Sequence, residues 1–207
     1  QRHKSGGNNI RASLALAAMT RNIGKEGSGV QFGQMETGKF VYNILQYESK
    51  NKQSGIRPID INDFANELSE LKDPPVKFLW IASRNLLAQS NDIEQLRKAL
   101  ADLELIVAVD LFMNETTKYA DLVLPATTQF EEWDVLASYW HHWISINQPA
   151  IEPYYESKSE LEIARMLAKR LNDYEENFSV FPFHLTDEQF IDLEFTDEFY
   201  QLLNIGH

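Results

Sequence analysis

Three short apolar runs dominate the middle of the chain and predict the strands of a sheet. They cover residues 78–82 (FLWIA), 105–109 (LIVAV) and 122–124 (LVL). The runs are continuous rather than alternating, a pattern typical of parallel strands that are covered on both faces. A helical segment separates the first two runs, as a parallel crossover requires. The sequence therefore predicts an α/β fold, a parallel sheet with helices on both faces.

Four segments with helical periodicity surround these strands: residues 10–20, 62–71, 91–103 and 159–172. The first is rich in alanine and is expected to be buried. The third is expected to begin with a capping box formed by Asn91 and Glu94. The fourth is amphipathic, and its buried stripe is expected to consist of Leu161, Ala164, Met166, Leu167 and Leu171.

The elements divide the chain into four predicted parts. Residues 1–35 form a glycine-rich loop and the alanine-rich helix, and residues 36–75 an irregular connector. Residues 76–172 form the α/β domain, in which residues 144–146 are a candidate short strand. Residues 173–207 form a helical, aromatic-rich tail.

Composition and charge narrow the classes of function. The 207 residues include no cysteine, so the chain itself cannot ligate an iron–sulfur cluster or a Cys-held zinc. A net charge of −12 argues against nucleic acid as a partner. The chain has neither a signal peptide nor an apolar window of about 20 residues, so we expect a soluble, cytoplasmic protein without a transmembrane segment. It begins in a polar loop without methionine, and we expect a piece of a longer protein.

Candidate binding residues follow from the predicted sheet. Ligands of open parallel sheets bind beyond the carboxyl ends of the strands. This rule selects residues 83–89, Asp110 and residues 126–128. The Asp110 carboxylate would suit ribose hydroxyls or the N–H donors of guanine. The alternative is that Asp110 has a structural role, as a helix N-cap or turn residue. The first fifty residues add seven Lys or Arg against three Glu, together with seven glycines, and this combination suits an anion.

Other chemical motifs are weaker. His141 and His142 are adjacent, and on an extended segment they would point to opposite faces, so a shared metal ion is not expected. Glu131, Glu132 and Asp134 are either paired acids for proton transfer or a solvated turn, and we favour the turn. The sequence contains no Gly-x-Gly-x-x-Gly, Walker or Gly-x-Ser-x-Gly motif, which argues against ordinary NAD, ATP and hydrolase sites.

One long motif is more specific. Residues 104–131 read ELIVAVDLFMNETTKYADLVLPATTQFE. This run resembles the signature of molybdopterin-dependent oxidoreductases of the dimethyl sulfoxide reductase and formate dehydrogenase superfamily: an apolar strand, Asp-x-Phe-x-x-Glu-Thr-Ala, Ala-Asp-Val-Val-Leu-Pro and a later Glu. It departs at Thr117, where the family prefers Ala. Residues 1–8, 20–29 and 150–163 resemble further family segments in the same order, so the resemblance covers residues 1–172.

The resemblance implies a Rossmann-like or flavodoxin-like domain of the formate dehydrogenase type that binds a molybdopterin guanine dinucleotide carrying molybdenum or tungsten. The family's Gly-x-Asn-Pro turn reads Ser83-Arg84-Asn85-Leu86 here, which implies a stiffer approach of the backbone to phosphate. No catalytic or metal-ligating residue is expected in this chain. The implied cofactor contacts are Lys4, Ser5, Gly6, Ser83, Asn85, Gln89, Val109, Asp110, Ala126 and Glu160.

The resemblance also implies a function for the whole protein. The chain would be an internal part of a large catalytic subunit for two-electron redox of a small substrate in anaerobic metabolism, as in formate dehydrogenases or reductases, and inactive alone. The metal-ligand loop and an iron–sulfur segment would lie outside it. Its partners would be the rest of that subunit and electron-transfer subunits. The alternatives are a non-catalytic structural homologue in a respiratory complex and a free-standing nucleotide-binding module.

Overall fold

The computed structural model describes residues 4–30, 57–137, 144–193, 195 and 201. The chain divides into two compact units. One consists of residues 1–39 with 137–144, and the other of residues 40–136 with 145–207. No helix in these described stretches is long and apolar enough to span a membrane.

Helix α1, Gly6–Met19, is the described helix of the smaller unit. It begins four residues earlier than the sequence predicts. The expectation that it is buried was wrong, because Gly6 is its one buried residue and Ile10 and Leu14 are exposed. Alanine is the strongest helix former, so an alanine-rich segment becomes helical without a packed face. The apolar spacing indicated the helix correctly but not its burial.

The larger unit is built on a three-stranded parallel sheet. Strands β1, Phe78–Ala82, β2, Leu105–Asp110, and β3, Leu122–Pro125, lie in the order β1-β2-β3. In this register Leu79 lies beside Ile106, and Val109 lies beside Leu124. The predicted α/β class, with parallel strands flanked by helices, is confirmed.

The remaining elements connect and flank these strands. The helices are α2, Phe64–Glu70, α3, Leu86–Gln89, α4, Ile93–Ala101, α5, Glu160–Tyr174, and α6, Asp187–Asp192, with a 3₁₀ turn at Thr117–Tyr119. Strands β4, Asp134–Ala137, and β5, Ile144–Asn147, form a separate two-stranded sheet. Strand β5 confirms the candidate strand at 144–146, whereas α3 and β4 were not expected.

The core of this unit lies on one face of the parallel sheet. Leu79, Ile81 and Ile106 share that face, since residues in register point to the same side. They pack with buried side chains of α2, α3 and α4, chiefly Leu68, Leu86, Leu87, Leu96, Ala99 and Leu100. Leu96 and Leu100 are four residues apart and therefore lie on one face of α4.

The opposite face of the sheet is only partly covered. Val107 and Val109 on this face are buried. Around them lie four large apolar side chains that we call the second-face patch: Phe78, Trp80, Leu105 and Leu122, which are 51%, 37%, 41% and 48% exposed. Such side chains in one contiguous area are typical of a surface that contacts further polypeptide.

Helix α5 begins where the sequence predicts, but the residues that it buries are not the predicted ones. The Ser159 hydroxyl oxygen accepts a hydrogen bond from the Glu162 backbone N–H at 3.0 Å, which caps the helix. Its buried residues are Ile163 and Ala168. The expected stripe was therefore wrong in part, since its members Met166, Leu167 and Leu171 are exposed. Apolar spacing alone does not reveal which side of a helix meets the core.

Candidate functional site

The carboxyl ends of the three parallel strands open onto a cavity of about 720 Å³. The loops that follow β1, β2 and β3 all contribute to its wall, as the rule for open parallel sheets predicts. The wall is completed by residues 132–135, the start of α5 and two apolar residues of α6, Phe190 and Ile191.

Six of the ten implied cofactor contacts line this cavity: Ser83, Asn85, Val109, Asp110, Ala126 and Glu160. Gln89, the last residue of α3, is not among the lining residues. Lys4, Ser5 and Gly6 belong to the smaller unit. The His141-His142 pair lies outside the described residues, and within the described ones no cluster of His, Asp or Glu could hold a metal ion.

Asp110 shapes the loop that follows β2. Its Oδ1 accepts hydrogen bonds from the backbone N–H groups of Leu111 at 2.7 Å and Phe112 at 3.3 Å. Its Oδ2 accepts one from Asn114 Nδ2 at 2.7 Å. The alternative of a turn residue is therefore correct for its local role. The carboxylate also lines the cavity, so the two roles coexist at one side chain.

A buried hydroxyl ties the first loop to the second. Thr116, 2% exposed, donates to Asn85 Oδ1 at 2.8 Å and accepts from the Leu87 N–H at 2.9 Å. Asn114 Oδ1 accepts from the backbone N–H groups of Thr116 and Thr117. The sequence missed Asn114, which lies on the cavity wall four residues after Asp110.

Thr117, where the family prefers Ala, is accommodated by hydrogen bonds. It is almost fully buried, and its Oγ1 accepts from the Asn114 N–H at 2.6 Å. The same hydroxyl lies 3.0 Å from the Asn114 carbonyl oxygen and 3.2 Å from that of Phe112. A buried hydroxyl needs such partners, so the departure from the family pattern adds a local link within the loop.

Ser83 stands at a position where the family pattern has glycine. Its φ of 53° lies in the left-handed region that favours glycine, which gives a physical reason for the family's preference. The Ser83 hydroxyl donates to Glu160 Oε1 at 2.7 Å. This bond joins the loop after β1 to the first turn of α5.

Glu131 is a buried acceptor rather than part of a solvated turn. It is 8% exposed. Its Oε2 accepts from the Thr128 N–H at 2.7 Å and the Thr128 hydroxyl at 2.8 Å, and its Oε1 from the Tyr154 N–H at 2.6 Å. The hydrogen bonds from Thr128 lower the pKa of Glu131, and that from Tyr154 adds to this effect. The expectation of a solvated turn was wrong here.

Glu132 lines the cavity, and its environment shifts its pKa in the opposite direction. Its Oε2 accepts from the Thr127 hydroxyl at 2.5 Å. Burial raises the pKa of Glu132 against the effect of that hydrogen bond, and repulsion by the carboxylates of Asp134, Glu160 and Asp187 raises it further. The sequence did not identify Glu132 as a site residue. Asp134, at the start of β4, is exposed.

The cavity wall combines four carboxylates with one cation. The carboxylates are Asp110, Glu132, Asp134 and Glu160, and Arg84 is the one Lys, Arg or His among the described lining residues. Carboxylate oxygens accept from the ring and exocyclic N–H donors of guanine and from ribose hydroxyls, and a guanidinium binds phosphate. The residues present therefore fit a guanine nucleotide.

Comparisons with known proteins identify the family of the chain. The family model described as molybdopterin oxidoreductase matches residues 1–170. The chain is 37% identical over 172 residues to the probable oxidoreductase YoaE of Bacillus subtilis, and these cover 83% of the chain and 25% of YoaE. It is 31% identical over 192 residues to the probable dimethyl sulfoxide reductase chain YnfF of Escherichia coli, and these cover 83% of the chain and 23% of YnfF.

A third relative is the F420-dependent formate dehydrogenase subunit alpha of Methanocaldococcus jannaschii, 26% identical over 185 residues, which cover 78% of the chain and 26% of that subunit. The chain thus spans about a quarter of the length of these relatives. Since the family model matches more than four fifths of its residues, the chain belongs to the molybdopterin oxidoreductase family.

Proposed function

We propose that this chain binds the guanine nucleotide end of a molybdopterin guanine dinucleotide in the cavity at the carboxyl ends of β1, β2 and β3. The supporting observation is that six implied contacts, which are distant in sequence, line this one cavity. The cofactor, when bound, supplies two-electron redox chemistry at its molybdenum or tungsten. The chain's own residues bind and orient the nucleotide.

The donor and acceptor pattern assigns roles to these residues. Asp110 holds its loop with both carboxylate oxygens, and Oδ2 still has acceptor capacity, because it accepts one hydrogen bond and has two lone pairs. Glu160 accepts from Ser83 through Oε1, which leaves Oε2 for a ligand donor. Both are suited to N–H or hydroxyl donors of a guanosine. The Lys4, Ser5 and Gly6 contacts stay predictions.

We also propose that the chain is one part of a larger oxidoreductase subunit that acts on a small substrate. The chain spans about a quarter of its relatives, and the second-face patch offers an apolar surface to further polypeptide. Electron-transfer subunits, an iron–sulfur cluster elsewhere in the subunit and a cytoplasmic location stay predictions. The non-catalytic homologue and the free-standing module would share the nucleotide cavity and differ in the absence of a metal-ligand loop.

The nucleotide proposal is tested by titrating the 207-residue chain with GDP and ADP in a calorimeter. We expect GDP to bind more tightly, because adenine presents a ring acceptor where guanine presents a ring N–H donor. Asp110→Asn keeps an oxygen acceptor for the loop and removes the charge. It should weaken GDP binding about tenfold or more, since a hydrogen bond to a charged group contributes about 1.5–3 kcal/mol.

Glu104→Gln is the matched control. Glu104 is an exposed carboxylate paired with Lys77 at 2.6 Å, and it does not line the cavity. GDP affinity should be unchanged in this variant. A chain with intact secondary structure that binds neither GDP nor ADP at millimolar concentration would contradict the proposed function.

A further inference from the structure

Arg84 has no assigned role, and its environment is unusual for an arginine. It is the second residue of the loop after β1, it is partly buried, and it lines the cavity. Its Nε atom is buried and has no hydrogen-bond partner. Among the ion pairs of the described residues none includes Arg84, although four carboxylates share the cavity wall with it.

A buried donor without a partner carries a free-energy cost. An unsatisfied buried polar group destabilises the folded chain, and a charged group does so more strongly. Arginine offers five N–H donors in a planar fork that matches the oxygens of phosphate. A ligand anion in the cavity would neutralise the guanidinium, and reorientation of the Arg84 side chain toward the anion would give the Nε atom a partner. The cost in the free chain thus favours binding of an anion.

We propose that Arg84 binds the phosphate of the nucleotide and thereby fixes the direction in which the nucleotide lies in the cavity. The inference rests on the proposed function and adds a residue and an orientation to it. Phosphate oxygens are repelled by the carboxylates of Glu132 and Asp134, and Arg84 is the cation available among the described lining residues. The phosphates therefore lie at the Arg84 side chain, and the nucleoside faces the carboxylates.

A purely structural role for Arg84 makes a different prediction. If Arg84 serves only to pack the loop, Arg84→Gln should lower the unfolding midpoint and weaken all ligands equally. If Arg84 is an unpaired phosphate-binding residue, removing its charge should leave the midpoint of the ligand-free chain unchanged or raise it. The effect should then appear only with ligands that carry phosphate.

The experiment measures the affinity of the 207-residue chain for guanosine, GDP and inorganic pyrophosphate, in the wild type, Arg84→Gln, Arg84→Lys and Arg97→Gln. Arg97 is a matched control, because it is an arginine whose contacts are to Glu115 and the Tyr119 ring and which does not line the cavity. Calorimetric titration gives the affinities, and thermal unfolding without ligand gives the midpoints.

We expect Arg84→Gln to weaken GDP and pyrophosphate binding about tenfold or more and to leave guanosine binding unchanged. Arg84→Lys should restore part of the GDP affinity, and Arg97→Gln should resemble the wild type. Equal loss of guanosine and GDP, or GDP affinity that does not respond to Arg84→Gln, would overturn the inference while the proposed function stands. Pyrophosphate binding that depends on Arg84 without any guanosine or GDP binding would instead overturn the proposed function.

Discussion

At the scale of single residues, Glu131 and Glu132 show how neighbouring carboxylates acquire opposite properties. Glu131 points into a set of three hydrogen-bond donors, and these favour its ionised form. Glu132 is half-buried on a wall with other acids, and both effects favour its protonated form. The two side chains therefore make opposite contributions to the dependence of stability on pH.

Glu131→Gln should destabilise the protein at neutral pH. The folded-state pKa of Glu131 is lowered below its ordinary value of 4.5, so its contribution to stability is present above that pH and is lost as the pH falls through the folded-state pKa. We expect a lower urea midpoint than the wild type at pH 7 and a shrinking difference below about pH 4.5. A difference that stays constant between pH 7 and pH 3 would show that lost packing, and not the charge, is responsible.

Glu132→Gln should have the opposite effect. The folded-state pKa of Glu132 is raised above its ordinary value of 4.5, so the wild type loses stability as the pH rises from that value through the folded-state pKa. The neutral amide removes the repulsion and retains an acceptor for the Thr127 hydroxyl. We expect a higher urea midpoint than the wild type at pH 7 and equal midpoints below about pH 4.5. A lower midpoint at pH 7 would contradict the assigned environment.

The sequence located some of these residues and not others. Asp110 was identifiable because it directly follows an apolar run, where a sheet places its binding loops. The burial of Glu131 could not be identified from the sequence, because one of its hydrogen-bond donors is the Tyr154 N–H, 23 residues away. The motif likewise included Asn85 without indicating its partner Thr116, which lies in the next loop. Local pattern identifies residue types, and the fold decides which of them meet.

At the scale of elements, the start of α4 is the clearest difference between the expected and observed structure. Asp92, and not Asn91, is the N-cap, and its side chain accepts from the Gln95 N–H at 3.1 Å. Asp92 has a φ of 46°, a left-handed conformation that Asp and Asn tolerate better than other non-glycine residues. Asn and Asp are both favoured N-cap residues, so the sequence does not decide between Asn91 and Asp92. The backbone conformation of the loop before α4 decides which of them caps the helix.

Asp92→Ala should therefore lower the free energy of unfolding by about 2 kcal/mol, roughly half from the lost cap and half from strain at positive φ. Asp92→Asn should change the free energy of unfolding little, since asparagine keeps the side-chain acceptor and also tolerates a positive φ. Asn91→Ala should cost less than about 0.5 kcal/mol, because the side chain of Asn91 makes one 3.3 Å hydrogen bond at the surface. Urea unfolding measures all three, and a larger loss in Asn91→Ala than in Asp92→Ala would identify Asn91 as the cap.

The elements themselves were predictable to different degrees. The continuous runs gave all three parallel strands, because few other structures accommodate such runs in a chain of this composition. The four-residue helix α3 was not predictable, since it is too short to show a periodicity. Strand β4 was missed because Asp134 and its acidic neighbours resemble a turn.

At the scale of the whole molecule, the cavity is the product of the parallel topology. Three loops that are separated by about 15 to 30 residues come together because their strands run in the same direction. Residues 132–135 add to the wall, and helices α5 and α6 contribute from a distant part of the chain. The sequence predicted the contribution of the three loops and of Glu160, but not that of Phe190 and Ile191, for which no local signal exists.

The second-face patch gives the last prediction, which concerns the larger subunit. Phe78 and Leu105 are cross-strand neighbours in this patch, and both are about half exposed. The double variant Phe78→Thr/Leu105→Thr keeps strand propensity and removes apolar surface. In the 207-residue chain it should reduce binding of the dye ANS and change the unfolding midpoint little. Within the longer subunit it should lower that midpoint if further polypeptide covers the patch, since burial of apolar surface contributes about 25 cal/mol per Å².

Met19→Gln is the control for this experiment, since Met19 is an exposed apolar residue on α1 outside the patch. It should leave the midpoint of the longer subunit unchanged. If the double variant has the same small effect on the short chain and on the longer subunit, the patch stays exposed in the whole protein. The remaining polypeptide then contacts this domain through another surface, and the large apolar side chains on the second face need a different explanation.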